Sequence, residues 1–275
     1  MMVVLLKLFY CYQHKSFKIH NEMPTQIIAY DKSSFSAKVR TGHTITHDVY
    51  ARGAGKILVL IQELPGIGQE TLALADKFVE RGYRVILPHL FGPIGKTSVG
   101  GNLFRVFCMR KEFKVFAKNE SSPIVDWLKA LCAKMKADHQ VSGVAVIGMC
   151  LTGNFAISLM AEDAVLAGFA SQPSMPFFAQ NSLHLSEQDV EVIKTKLEKV
   201  GPMHCGRFKG DKLCTAQKFD LINRKFNSDG VERIKLHELP GKGHSILTLD
   251  FVNEAGHPTT QALKEVMDYF DQQLS

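Results

Sequence analysis

Val144-Ala145-Val146-Ile147-Gly148-Met149-Cys150-Leu151-Thr152-Gly153-Asn154-Phe155-Ala156 decides the fold. Its first six residues predict a buried strand, Cys150 a sharp turn, and Asn154-Phe155-Ala156 the opening of a helix. Gly148 lets the strand turn tightly, where a side chain would crowd the turn. A residue at such a strand-to-helix turn is held in strained geometry and projects outward. The helix begins beside the sulfur, so its free backbone N–H groups favour a thiolate and a developing oxyanion.

Outward from this elbow the chain alternates strands and helices. Lys56-Ile57-Leu58-Val59-Leu60-Ile61 is a continuous apolar run, as in a strand covered on both faces. Gln69 to Arg81 has helical spacing, with Leu72, Ala75, Phe78 and Val79 on one face and Gly82 at the stop. Val85-Ile86-Leu87 is the next strand, closed by Pro88. Ser122-Pro123 opens another helix with Ile124, Trp127, Leu128 and Leu131 on its apolar face. Ala164 to Ala170 predicts a strand. Ser186 to Val200 predicts a helix opened by a Ser186/Asp189 capping box. Met203 to Lys209 and Arg233 to Glu238 predict weaker strands, and a last helix centres on Gln261 to Phe270. Ile27 to Tyr50 predicts short antiparallel strands with turns at Asp31-Lys32-Ser33-Ser34 and Thr41-Gly42. This order implies a parallel sheet with right-handed crossovers. Two long connections, Phe91 to Ser121 and Ser171 to Leu185, are pocket or lid candidates, because loops at the carboxyl ends of strands line the site in such sheets.

Composition excludes several classes. The 275 residues are 45% hydrophobic and 22% charged, ordinary for a globular chain that buries its own core. The net charge of +6 is dispersed, with no Lys/Arg run interleaved with aromatics, so a nucleic-acid partner is not expected. Six cysteines without a CxxC pair argue against a disulfide scaffold or a zinc site and for a reducing, cytoplasmic location. Met1 to Tyr12 is apolar but too short to span a membrane. Residues 1–22 are expected to be an appendage outside the fold, with an alternative start at Met23, and residues 23–275 a single domain. A monomer is the expected state. Gly66-Ile67-Gly68 resembles the start of a dinucleotide fingerprint. Thr71 stands at the third glycine position, and the next strand ends in Pro88-His89 without an acidic residue. A dinucleotide cofactor is therefore not expected.

A cysteine in an apolar stretch is more often a small buried hydrophobe than a nucleophile. Here the elbow and two downstream residues change that balance. Asp211 stands in Lys209-Gly210-Asp211-Lys212 after a strand, where it can be a plain turn residue or the group that orients an imidazole. His244 follows a strand in Gly241-Lys242-Gly243-His244-Ser245, and Lys242-Gly243 gives its loop freedom to reach the nucleophile. Glu63 ends the first long buried strand, where a charge needs a partner or a task. Backbone N–H groups of Leu64 and Leu151 are the expected oxyanion donors.

Gln62-Glu63 with Gly66, the Gly148–Gly153 elbow, Gly210-Asp211 and Gly243-His244-Ser245 together resemble the dienelactone hydrolase family, from about residue 25 to the C-terminus. The resemblance implies an α/β-hydrolase fold, a mostly parallel central sheet with helices on both faces. It implies Cys150, Asp211 and His244 as a triad, and Glu63 in contact with the resting thiol. The implied reaction is hydrolysis of a small lactone or ester through a thioester, without metal or coenzyme. The chain departs from the family pattern at three places. Thr152 replaces a second elbow glycine, and His89 replaces an aspartate after the strand-end proline. Thr248 stands where bacterial members carry an arginine for the substrate carboxylate, for which Arg105 and Arg110 are the candidate substitutes. The departures also admit another class, a catalytically silent fold that binds ligands or senses thiol oxidation.

Overall fold

The computed structural model describes residues 23–64, 66–94, 122–174, 182–183 and 185–275. A sheet of eight strands runs through them in the order β1-β2-β4-β3-β5-β6-β7-β8. The strands are β1 (Asp31–Lys38), β2 (Thr44–Arg52), β3 (Lys56–Ile61), β4 (Tyr83–Pro88), β5 (Val144–Met149), β6 (Val165–Ser171), β7 (Met203–Phe208) and β8 (Ile234–Leu239). β1 and β2 pair antiparallel, β2 meets β4 antiparallel, and every pairing from β4 to β8 is parallel.

The period of β3 explains the layering. Ile57, Val59 and Ile61 join one buried cluster, Leu58 and Leu60 the other. Onto the first face pack α2 (Pro123–His139), α3 (Gly153–Leu159), α4 (Glu187–Val200) and α5 (Ala216–Phe226), through residues such as Trp127, Phe155, Ile193 and Ile222. Onto the second pack α1 (Gln69–Glu80) and α6 (Pro258–Gln273), through Phe78, Val266 and Phe270. Helices thus cover both faces of a mostly parallel sheet, as expected for an α/β-hydrolase fold. β3 lies between β4 and β5, so the chain path reverses there, the usual place for a site at the carboxyl ends of the strands.

Some expectations need correction. Asp31-Lys32-Ser33-Ser34 is not a turn but the start of β1, an exposed edge strand that pairs only with β2 and tolerates polar residues on both faces. The Thr41-Gly42 turn stands, with Gly42 at φ 84°. The last helix is longer than expected, and α5 was not foreseen. Residues 1–22, Arg105 and Arg110 lie outside the described residues, as do most of the two long connections. Among the described residues no helix is long and apolar enough to cross a membrane.

Candidate active site

Each singled-out residue follows the carboxyl end of a different strand in the parallel half of the sheet, where β6 alone separates β5 from β7. Glu63 follows β3, Cys150 β5, Asp211 β7 and His244 β8. Side chains up to 181 positions apart in sequence therefore meet at one rim.

Cys150 has φ 56°, a left-handed conformation that costs a residue with a Cβ of order 1–3 kcal/mol. The surroundings hold it there. A Cβ on Gly148 would lie 2.1 Å from the Thr152 carbonyl oxygen, so only glycine fits beneath the turn. The buried Thr152 hydroxyl accepts from the Met149 N–H at 2.8 Å. Its own proton faces the carbonyls of Gln62 (3.0 Å), Met149 (3.0 Å) and Ile61 (3.3 Å). Thr152 thus staples the elbow to the end of β3. Leu151 clusters with Cys150, and Leu64 and Phe91 pack against them. The Cys150 sulfur lies 3.2 Å from the hydroxyl of Ser174, a buried residue just beyond β6.

Asp211 closes a turn and also touches the His244 ring. One carboxylate oxygen accepts from the N–H groups of Leu213 (2.7 Å) and Cys214 (3.1 Å), closing a turn. The other lies 2.7 Å from His244 Nδ1. The remaining ring nitrogen, Nε2, has no hydrogen-bond partner among the described residues. Burial disfavours the imidazolium, but the neighbouring Cys150 sulfur and the Asp211 carboxylate outweigh it and hold the His244 pKa well above the ordinary histidine value. The His244 loop is also less free than Lys242-Gly243 suggested. One oxygen of Asp250 accepts from the backbone N–H groups of His244 (2.6 Å) and Ser245 (3.0 Å).

Glu63 is buried, and its contacts differ from the expected one. Its carboxylate accepts from Thr248 Oγ1, from Ser245 Oγ at 3.0 Å and from Gln172 Nε2 at 3.5 Å. The expected thiol contact is not among its hydrogen bonds. Burial pushes its pKa up, opposed by the Thr248 and Ser245 hydroxyls and by His244. Thr248, where an arginine was anticipated in relatives, instead ties this carboxylate to the histidine loop. Ser174, Gln172, Asp250 and Ser245 were not picked out from sequence. Ser245 and Thr248, one and four positions after His244, carried the only local signal. No group of three metal-ligating side chains occurs among the described residues.

Such an arrangement can deprotonate a thiol, orient an imidazole and present backbone donors to an attacked carbonyl. The comparisons agree in kind. Residues 46–274 match the family model described as the dienelactone hydrolase family. The hydrolase tropI of Talaromyces stipitatus is 23% identical over 204 residues, 73% of this chain and 74% of that one. A dienelactone hydrolase-like promiscuous phosphotriesterase from metagenomic libraries, P91, superposes with a TM-score of 0.61 at 12% identity, covering 89% of this chain and 99% of that one. A cold-adapted esterase from an Arctic intertidal metagenomic library gives 0.58 at 17% identity, covering 93% and 99%. At such identities these structures speak for the fold alone.

Proposed function

This chain belongs to the dienelactone hydrolase family, and from that premise we propose that it cleaves a small carboxylic ester or lactone at Cys150 through a thioester. His244 Nε2 takes the thiol proton as the sulfur attacks the carbonyl carbon. A C–S bond forms, and the carbonyl electron pair moves to oxygen. The N–H groups of Leu64 and Leu151 hold that oxyanion, beside the Leu64 and Phe91 side chains that pack against Cys150 and Leu151. Collapse breaks the C–O bond to the leaving group, which takes the proton from His244. His244 then draws a proton from water, whose oxygen displaces the sulfur and releases the acid. Asp211 orients the ring and stabilises its charged form. Glu63 acts through the Ser245 and Thr248 hydroxyls, anchoring the histidine loop to β3. Thiolate is a good leaving group, so amides suit this site less well than esters.

The observation that carries this reading is the 2.7 Å Asp211–His244 contact, which ties the carboxylate after β7 to the ring after β8. The four buried cysteines that occur as free thiols support a reducing, cytoplasmic setting. Cys150→Ala is expected to abolish turnover of an activated aryl ester with the melting curve retained. Turnover in that variant would overturn the nucleophile assignment. Asp211→Asn is expected to lower kcat by about 10²–10⁴-fold, since the ring loses its orientation and its counter-charge. An unchanged rate there moves the acid elsewhere. A stoichiometric acyl-enzyme that turns over separates this reading from a silent thiol-sensing fold.

A further inference from the structure

Ser174 grips the elbow at two points. Its Oγ is 3.2 Å from Cys150 Sγ, and its backbone N–H donates to the Cys150 carbonyl at 3.2 Å. The segment that delivers it is over-determined. Gln172 is held at φ 37°, a left-handed conformation for a residue with a Cβ, and its N–H donates to the Gly206 carbonyl at 2.7 Å. Pro173 lies hard against the start of α3. A Cβ on Gly153 would come within 2.9 Å of Pro173 Cα and 3.0 Å of the Ser171 carbonyl oxygen. The absence of a side chain at Gly153 therefore lets Pro173 approach, and that approach sets Ser174 on the sulfur. Strained backbone persists where the surroundings enforce it, and it concentrates at functional positions.

We propose that Ser174 is a further catalytic residue, whose hydroxyl donates a hydrogen bond to the Cys150 sulfur and stabilises the attacking thiolate. This rests on Cys150 as nucleophile. A neutral thiol and a hydroxyl can each donate to the other. Once the S–H proton has passed to His244, the sulfur offers only lone pairs and Ser174 is the donor. A charged acceptor makes the stronger bond, so the contact favours the thiolate over the thiol. Cys150 is buried, so this donor replaces hydration that the sulfur lacks. No bond to Ser174 breaks, and its proton stays on oxygen throughout.

The test is the pH dependence of Cys150 alkylation by iodoacetamide, in the full chain, alongside kcat/KM for an aryl ester. The Cys150→Ala variant supplies the background from the other thiols. In Ser174→Ala the midpoint of the alkylation profile is expected to rise by about one pH unit, with kcat/KM at neutral pH falling about tenfold. Ser174→Thr keeps the hydroxyl and is expected to restore the midpoint. Ser174→Gly repeats the deletion should the alanine variant fail to fold. A hydroxyl-free variant that keeps the wild-type midpoint overturns the proposal, even with lowered activity, because a purely structural role leaves thiol ionisation where it was. Turnover by Cys150→Ala would instead sink the nucleophile reading beneath it.

Discussion

Thr152 shows how one hydroxyl can pin an elbow. It is fully buried, accepts from the Met149 N–H and offers its proton to the carbonyls at the end of β3. It thereby ties the Cys150 elbow to the segment that carries Leu64, the two residues proposed to bracket an attacked carbonyl. Removing the hydroxyl strands a buried N–H and a buried carbonyl, each costly without a partner. Thr152→Ala is expected to lose about 1–3 kcal/mol in denaturant unfolding and to lower kcat, with Thr152→Ser recovering most of both. A serine variant no better than alanine would show that the methyl group, not the hydroxyl, matters. At this scale Cys150, Asp211 and His244 could be singled out as candidates, because elbow and loop chemistry are local. The Thr152, Ser174 and Asp250 contacts were not foreseen. Those of Thr152 to β3 and of Ser174 to the sulfur bridge separate segments of the chain, and even the local grip of Asp250 on His244 depends on how the loop folds back.

The elements were legible where burial imposes a period. Lys56–Ile61 is the strand its apolar run predicted, and Ser122 caps α2 by accepting from the Ile124 N–H at 3.2 Å. The Ser186/Asp189 box at the start of α4 is fully formed, with Ser186 Oγ accepting from the Asp189 N–H at 3.0 Å. Ser186→Ala is expected to cost about 1 kcal/mol and lower Tm by about 2–4 °C, measured by calorimetry. A Tm unchanged within error would mean that tertiary packing alone holds that helix start. α5 escaped notice although Phe219, Ile222 and Phe226 recur on one face. Lys218 interrupts that pattern: it is buried among them with its ammonium on the Ser182 carbonyl and its pKa brought down to about 8 by burial. A lysine inside an apolar face contradicts the pattern unless a partner for it is known. The antiparallel strands expected over Ile27 to Tyr50 are present as β1 and β2, but the turn expected at Asp31-Lys32-Ser33-Ser34 is not. As an edge strand β1 is held by β2 through backbone bonds that any sequence can make.

At the scale of the molecule, the histidines under α6 couple stability to pH. His204 of β7 stacks on Tyr269 of α6 at 4.1 Å, beside His237 of β8 at 4.9 Å. Burial, then the charges of His237 and Lys235, bring the His204 pKa down to about 3. Burial also lowers His237, against Glu265. The unfolded chain binds these protons near pH 6.5 and the folded one resists them, so stability is present above that pH and is lost as pH falls below it. His204 alone should remove about 2 kcal/mol between pH 7 and pH 5. His204→Phe, which can keep the ring stack, is expected to flatten that loss in denaturant titrations at the two pH values. An equal loss in the variant would place the acid sensitivity elsewhere.

The sequence by itself determined most of the strand and helix order, the tight turn under Cys150 and the pattern of covered faces. Each follows from steric limits and apolar periodicity within a few residues. Only the tertiary structure decided the partners of the polar groups. Glu63 bonded to Ser245 and Thr248 rather than to the thiol, and Ser174 came to the sulfur, because β6 and β8 set their loops along one rim. A hydrogen bond is made or lost over a few tenths of an ångström. Composition and spacing do not carry distances that fine between residues far apart along the chain.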